Sequence, residues 1–194
     1  MKKIMFNDKY GLTEAVLSGR KTMTRRMVKP CKPGKKKRMF IEDLLEDAAY
    51  KVGEEVAVAQ RYIDLKNCDA FYEALQKDDT YMPLECIKDE AGCYNKMFVK
   101  AAWMPHRIKI TGVKVERLQD ISDDDCMKEG IATLLIPDDY QPIVRYIYKG
   151  IRLDDIMNYE KPQEAFAALI DKVSGKGTWE SNPYVFAYEF KLVK

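Results

Sequence analysis

Gly19-Arg20-Lys21-Thr22-Met23-Thr24-Arg25-Arg26 packs one lysine, three arginines and two threonine hydroxyls into eight residues, at the end of a short apolar segment. The charge is local. From Arg20 to Arg38 there are ten Lys or Arg and no Asp or Glu, whereas the whole chain sets 33 basic residues against 31 acidic. One reading is a solvated basic loop, the ordinary fate of a charge run. The other is an anion-facing site in which Lys21 and a threonine do chemistry, and composition does not choose between them.

Upstream, Leu12 to Ser18 carries apolar residues at spacings of three and four, with Asn7 and Asp8 as capping candidates and Gly19 as the stop, which predicts a short helix. Downstream the chain extends through Lys21–Arg26, breaks at Pro30, Pro33 and Gly34, and runs through the basic loop Lys35–Arg38. A second helix is expected over 40–49, then a turn at Tyr50–Glu54 and a buried strand Glu55–Gln60. Residues 61–95 read as an insertion with one helix near Ala70–Gln76, followed by a short strand over 96–101. Arg107–Arg117 alternates as a strand, with Gly112 allowing a kink. Ser122-Asp123-Asp124-Asp125 opens a helix by its capping pattern and Gly130 closes it. Residues 133–161 read as a second insertion. Pro162 starts a helix with the stripe Ala165, Phe166, Leu169, Ile170 and Val173. Tyr184–Val193 is a closing strand whose alternate aromatics read as core. Short strands, few helices and no βαβ rhythm predict one α+β domain over 1–194, a small mixed β-barrel decorated by helices.

Composition narrows the chemistry. A chain of 194 residues, 46% hydrophobic and 33% charged, is expected to be globular, with no apolar run near the ~20 residues of a membrane span and no signal-peptide stretch, hence cytoplasmic. Its five cysteines form no C-x-x-C pair and read as free thiols. A single histidine, His106, cannot build a two-histidine zinc site, so no metal or other cofactor is expected. The H-x-E and P-C-x-x-C signature of zinc deaminases is absent.

Four segments, in order, resemble the ASCH domain family of the PUA-like superfamily of small β-barrels. They are Gly19-x-Lys21 with Arg26, Tyr50–Glu54, Arg117–Ser122 leading to Glu129-Gly130, and Trp179–Pro183 with the final strand. Their order is especially similar to prophage-type members, and the two insertions lie outside the match. The resemblance implies RNA-related work. In one bacterial branch, small amidohydrolases remove the acetyl group of 4-acetylcytidine with a lysine as proton acceptor, a threonine three residues later as nucleophile and a later glutamate as proton donor. Carried over, these roles fall on Lys21, Thr24 and Glu129.

Amide hydrolysis needs an activated nucleophile, a base, an acid and an oxyanion holder. Lys21 is a base only if burial or cations lower its pKa; Arg20, Arg25 and Arg26 push that way and Glu129 pushes back. On a regular strand Lys21 and Thr24 face opposite sides, so the triad requires a bulge or a loop just after Gly19. Trp179 and Asn182 have the chemistry to stack on and hydrogen-bond a nucleobase, although a tryptophan before Asn-Pro also serves as a lid. His106 reads as structural or as a base contact. The expected function is thus a metal-independent amidohydrolase acting on RNA or a modified nucleoside. The alternatives are a non-catalytic RNA-binding module, with Arg20–Arg26 and Lys35–Arg38 on phosphates and Trp179 under a base, and a metal-independent ribonuclease using the same lysine.

Overall fold

The computed structural model describes residues 1–29, 41–77 and 87–193. The expected breaks at Pro30, Pro33 and Gly34, the run Lys35–Arg38, Cys31 and Cys86 lie outside the described residues.

The architecture is α+β. Five strands, β1 (Lys2–Ile4), β2 (Met23–Met27), β3 (Glu55–Val58), β4 (Arg107–Arg117) and β7 (Tyr184–Val193), form one mixed sheet in the order β1-β3-β4-β7-β2. Only the β1–β3 pair is parallel. The long β4–β7 ladder is its spine, and its register shifts between Ile110 and Gly112, where the kink was expected. Phe186, Tyr188 and Phe190 are buried as foreseen, whereas Tyr184 at the strand's start is exposed and Leu192 near its end only half-buried. Val185 and Ala187 are buried as well, because β7 is paired on both edges and covered on both faces.

The sheet corrects one expectation: among the described residues it does not close into a barrel. Its edges, β1 and β2, are not paired with each other. They are joined instead by a side chain, with Arg26 NH2 on β2 donating to the carbonyl of Met5 just past β1 at 2.5 Å. The ring of Phe6, only 6% exposed, fills the seam beside it.

The helices follow their punctuation. α1 (Leu12–Leu17) stops at Gly19, α2 (Ile41–Glu46) precedes the Lys51–Glu54 turn, and α3 (Asp69–Lys77) lies in the first insertion. Capping of α1 differs from expectation. Its N-cap is Gly11 at φ 62, while Asp8 accepts from the Thr13 hydroxyl at 2.6 Å. α4 (Asp123–Lys128) begins at Ser122, whose hydroxyl accepts from Asp125 N–H at 3.2 Å. α5 (Pro162–Ser174) buries Ala165, Phe166 and Leu169 of the expected stripe and half-buries Ile170, while Val173 near its end is exposed. The four-residue α6 (Thr178–Ser181) follows it.

The insertions are structural rather than appended. Ala57 on β3 and Ala59 just after it pack with Tyr62, Leu65, Phe71, Leu75 and Trp103 into a second core, while Val56 and Val58 face the main one. The strand expected over 96–101 is replaced by two 3-10 turns, Lys96–Phe98 and Ala101–Trp103. Side chains take the backbone donors a strand would have used: Asn95 Oδ1 accepts from Met97 N–H at 2.9 Å and Tyr62 OH from Lys100 N–H at 2.8 Å. The second insertion forms a separate hairpin, β5 (Ala132–Ile136) with β6 (Ile143–Ile147), and returns Tyr148 to the main core edge-on to Tyr10.

Candidate active site

The seam between β1 and β2 holds a cavity of about 170 Å³. Met5, Phe6 and Asn7 line it on one side, Lys21, Thr24, Arg25, Arg26 and Met27 on another. Glu129 closes one end, and Phe166, Leu169, Ile170 and Val173 of α5 form an apolar wall.

Lys21 reaches this cavity because the chain does not enter a strand directly after α1. Gly19 sits at φ +75, and Lys21 N–H donates back to the Ala15 carbonyl at 2.9 Å. Thr22 then bridges to Lys128 O and Phe190 N–H, and β2 starts only at Met23. Lys21 therefore lies in the loop and Thr24 on the strand. The period-two obstacle to their sharing a site does not arise.

Glu129 is the C-cap of α4, followed by Gly130 at φ +104. Lys21 Nζ donates to Glu129 Oε2 at 2.5 Å and to the Glu129 backbone carbonyl at 2.7 Å. The pair is withdrawn from water: Lys21 is 2% exposed, Glu129 4% and Thr24 5%. Removing an ammonium and a carboxylate from water costs on the order of several kcal/mol per ion, so such a pair is a poor device for stability alone. Burial pushes the Lys21 amine below its ordinary 10.5, against the opposing pull of Glu129, and the Arg26 and Arg25 charges add to the lowering. Among the charged neighbours Glu129 outweighs either arginine, and it is burial that leaves the lysine depressed.

Arg25 is as buried as the pair it flanks, at 6% exposed. Its guanidinium meets three carboxylates, Glu116 on β4 and Asp125 and Glu129 on α4. Burial works to raise the Asp125 carboxyl, but hydrogen bonds from Arg25 and Lys114 outweigh it and hold the group below the usual carboxylate range. Cys126, on the same helix, is fully buried, and burial pushes its thiol up to about 12, which leaves it inert.

The remaining sequence candidates are dispersed. Arg20 is exposed and donates to Ser18 Oγ at 3.1 Å. Arg26 lines the cavity, lies 5.7 Å from the Phe6 ring centroid, and keeps a buried Nε without a hydrogen-bond partner. Trp179, Asn182 and His106 do not line the cavity. Trp179 packs edge-on against Phe166 at 6.1 Å, and its backbone N–H donates to Asp171 Oδ1. Asn182, at φ 41, accepts from Gln119 N–H and from Arg117 through its own carbonyl. His106 Nδ1 lies 2.6 Å from Gln60 Oε1, and burial lowers its pKa. The sequence reading missed Phe6, Glu116 and Asp125. Asp125 had a signal, since it stands four residues before Glu129 on one helix face; Glu116 had none.

Among the described residues no group of three His, Cys, Asp or Glu is arranged to hold a metal ion, and no helix is long and apolar enough to cross a membrane. Comparison with protein-family models, with curated proteins and with solved structures gives no match to this chain.

Proposed function

We propose that the chain is an ASCH-type, PUA-like amidohydrolase that cleaves the N-acetyl group of an acetylated cytidine, with Thr24 as nucleophile, Lys21 as base and Glu129 as acid. One observation carries the reading: a lysine–glutamate pair at 2.5 Å, almost wholly buried, lines the same small cavity as Thr24.

The buried pair holds one mobile proton between two groups. As ammonium and carboxylate it is inert. With the proton moved to Glu129 it becomes a neutral amine beside a carboxylic acid, a base and an acid ready together at no change in net charge. Thr24 Oγ then bonds to the acetyl carbon while its proton passes to Lys21. The C–N bond breaks as Glu129 gives its proton to the leaving amine. Water attacks the acetyl-threonine ester, its proton passes to the Glu129 carboxylate, and Lys21 returns a proton to Thr24 Oγ. Acetic acid leaves, losing its proton to solvent as acetate, and the neutral amine and the carboxylic acid are both restored.

The cavity size bears on the substrate. Sites for drug-sized ligands span roughly 300–1,000 Å³, so about 170 Å³ suits a single base-sized head with its acyl group. That favours a modified nucleoside, or one base presented from RNA, over an RNA chain laid in a groove. The binding-module reading is less well supported, because Arg25 is spent on carboxylates and Trp179 on Phe166.

The deciding experiment is ultraviolet detection of cytidine released from N4-acetylcytidine by wild type, Thr24→Ala and Lys21→Arg. Turnover is expected to collapse in both variants, since arginine keeps the charge but gives no base near neutral pH. Thr24→Ala should cost the fold no more than ~1–2 kcal/mol. Equal rates in all three would end the lysine–threonine mechanism.

A further inference from the structure

We propose that Arg25 is a positioning residue for the buried pair: anchored on Glu116 and Asp125, its guanidinium turns Glu129 Oε1 to itself and leaves Oε2 to Lys21. For turnover this rests on the amidohydrolase reading; for the titration of Lys21 it rests on geometry alone.

The anchoring is complete at each nitrogen. Nε and NH2 donate to Glu116 Oε1 at 2.9 and 2.6 Å, NH2 also to Asp125 Oδ2 at 2.8 Å, and NH1 to Glu129 Oε1 at 3.2 Å. Three elements, β2, β4 and α4, are thereby tied through one side chain that is 1% exposed. Three anions around one cation are unbalanced, and the surplus is met from outside the cavity. Lys114 Nζ lies 2.9 Å from Glu116 and 3.2 Å from Asp125, and Lys128 Nζ lies 3.5 Å from Asp125. Glu116 and Asp125 thus have cations of their own, and the NH1 end of Arg25 serves Glu129, its other contact being the weak acceptor Met23 Sδ at 3.2 Å. An arginine is required for this: its rigid fork holds three directions at once, which an ammonium does not.

The charges around Lys21 can be taken element by element. α4 supplies Glu129 and, behind it, Asp125 and Lys128; β2 supplies Arg25 and Arg26; β4 supplies Glu116 and Lys114 through Arg25. The stretch after β1 and the α5 wall line the cavity without charge. Arg25 is therefore the cation through which the outer carboxylates act on the pair. With its charge removed, Lys21 holds its proton more tightly; with Glu116 neutralised, Arg25 bears on the pair more fully and Lys21 releases its proton sooner.

The test follows the Lys21 side-chain nitrogen by NMR across pH in wild type, Arg25→Gln, Arg25→Lys and Glu116→Gln, beside kcat, KM and the thermal transition of each. The Lys21 midpoint is expected to rise in Arg25→Gln, stay put in Arg25→Lys and fall in Glu116→Gln. In both Arg25 variants kcat should drop, by roughly 10- to 100-fold, the scale seen when the outer partners of metal ligands are removed, with KM little changed. A merely structural arginine would alter the thermal transition and leave the midpoints together. If Arg25→Gln does not fold, Glu116→Gln carries the titration, and an unmoved midpoint there overturns the proposal. Wild type without turnover on N4-acetylcytidine would defeat the functional reading and leave the titration to decide the role of Arg25.

Discussion

Lys21 links the site to the stability of the protein through pH. Its amine is depressed below 10.5 in the folded chain, first by burial, and returns to the ordinary value on unfolding. Between the lowered value and 10.5 the unfolded chain binds the additional proton, so stability attributable to this residue rises with pH across that window. Below the folded value the full penalty for burying the charge is present. Lys21→Met removes the titration while keeping an unbranched apolar stem. The difference in unfolding free energy, wild type minus variant, should climb as pH approaches 10.5 and level off above it, as read from denaturant melts over pH 7–11. A flat difference would mean a lysine titrating as it does in water. Lys21, Thr24 and Glu129, which line one cavity, were singled out in the sequence. The Arg25–Glu116 contact was not, since it joins residues 91 positions apart through a side chain with no local signal.

At the scale of elements, the punctuating residues were the readable ones. Gly19, Ser122 and Pro162 each end or begin a helix for a reason contained in their own backbone or side chain, and the helices lie where those residues put them. The strand expected over 96–101 failed because Asn95 and Tyr62 take its backbone donors, and Tyr62 is distant in sequence. β1 was passed over because three residues carry too little pattern to register. Gly19 offers a clean test of how an element delivers Lys21 to the cavity. It holds φ +75 with nothing within 4 Å of where a Cβ would stand, so Gly19→Ala meets backbone strain and no collision. The expected cost is about 1–2 kcal/mol, and Gly19→Asn should cost less because asparagine enters that region more readily. Denaturant midpoints order the three chains. A loss of turnover in Gly19→Ala larger than its loss of stability would show that the strain is relieved by moving Lys21.

For the whole molecule, the decisive feature is that β3 belongs to two cores at once. Successive residues Val56, Ala57 and Val58 are each 0% exposed and alternate between the main core and the one built from residues within 59–75 and 87–104. No periodicity announces this: a strand buried on both faces reads as a continuous apolar run, and only the folded topology shows that an apparent insertion covers its second face. Barrel closure was beyond the sequence for the same reason, being decided by whether β1 and β2 meet, and here Phe6 and the cavity stand between them. Two cores sharing a strand should unfold as one. Phe71 is 0% exposed and stacks on Tyr62 at 5.5 Å within the second core, which does not line the Lys21 cavity. Phe71→Ala should cost about 3–5 kcal/mol. At roughly 2–4 °C per kcal/mol for a chain of this size, the melting transition should fall by about 6–20 °C. It should remain a single transition, because losing the second core exposes Ala57 and breaks the sheet that the main core rests on. At temperatures where the variant is still folded, the Lys21 titration should match wild type. Two resolved calorimetric peaks would instead make 59–104 a separable unit, and a shifted Lys21 midpoint would couple the second core to the site across the sheet.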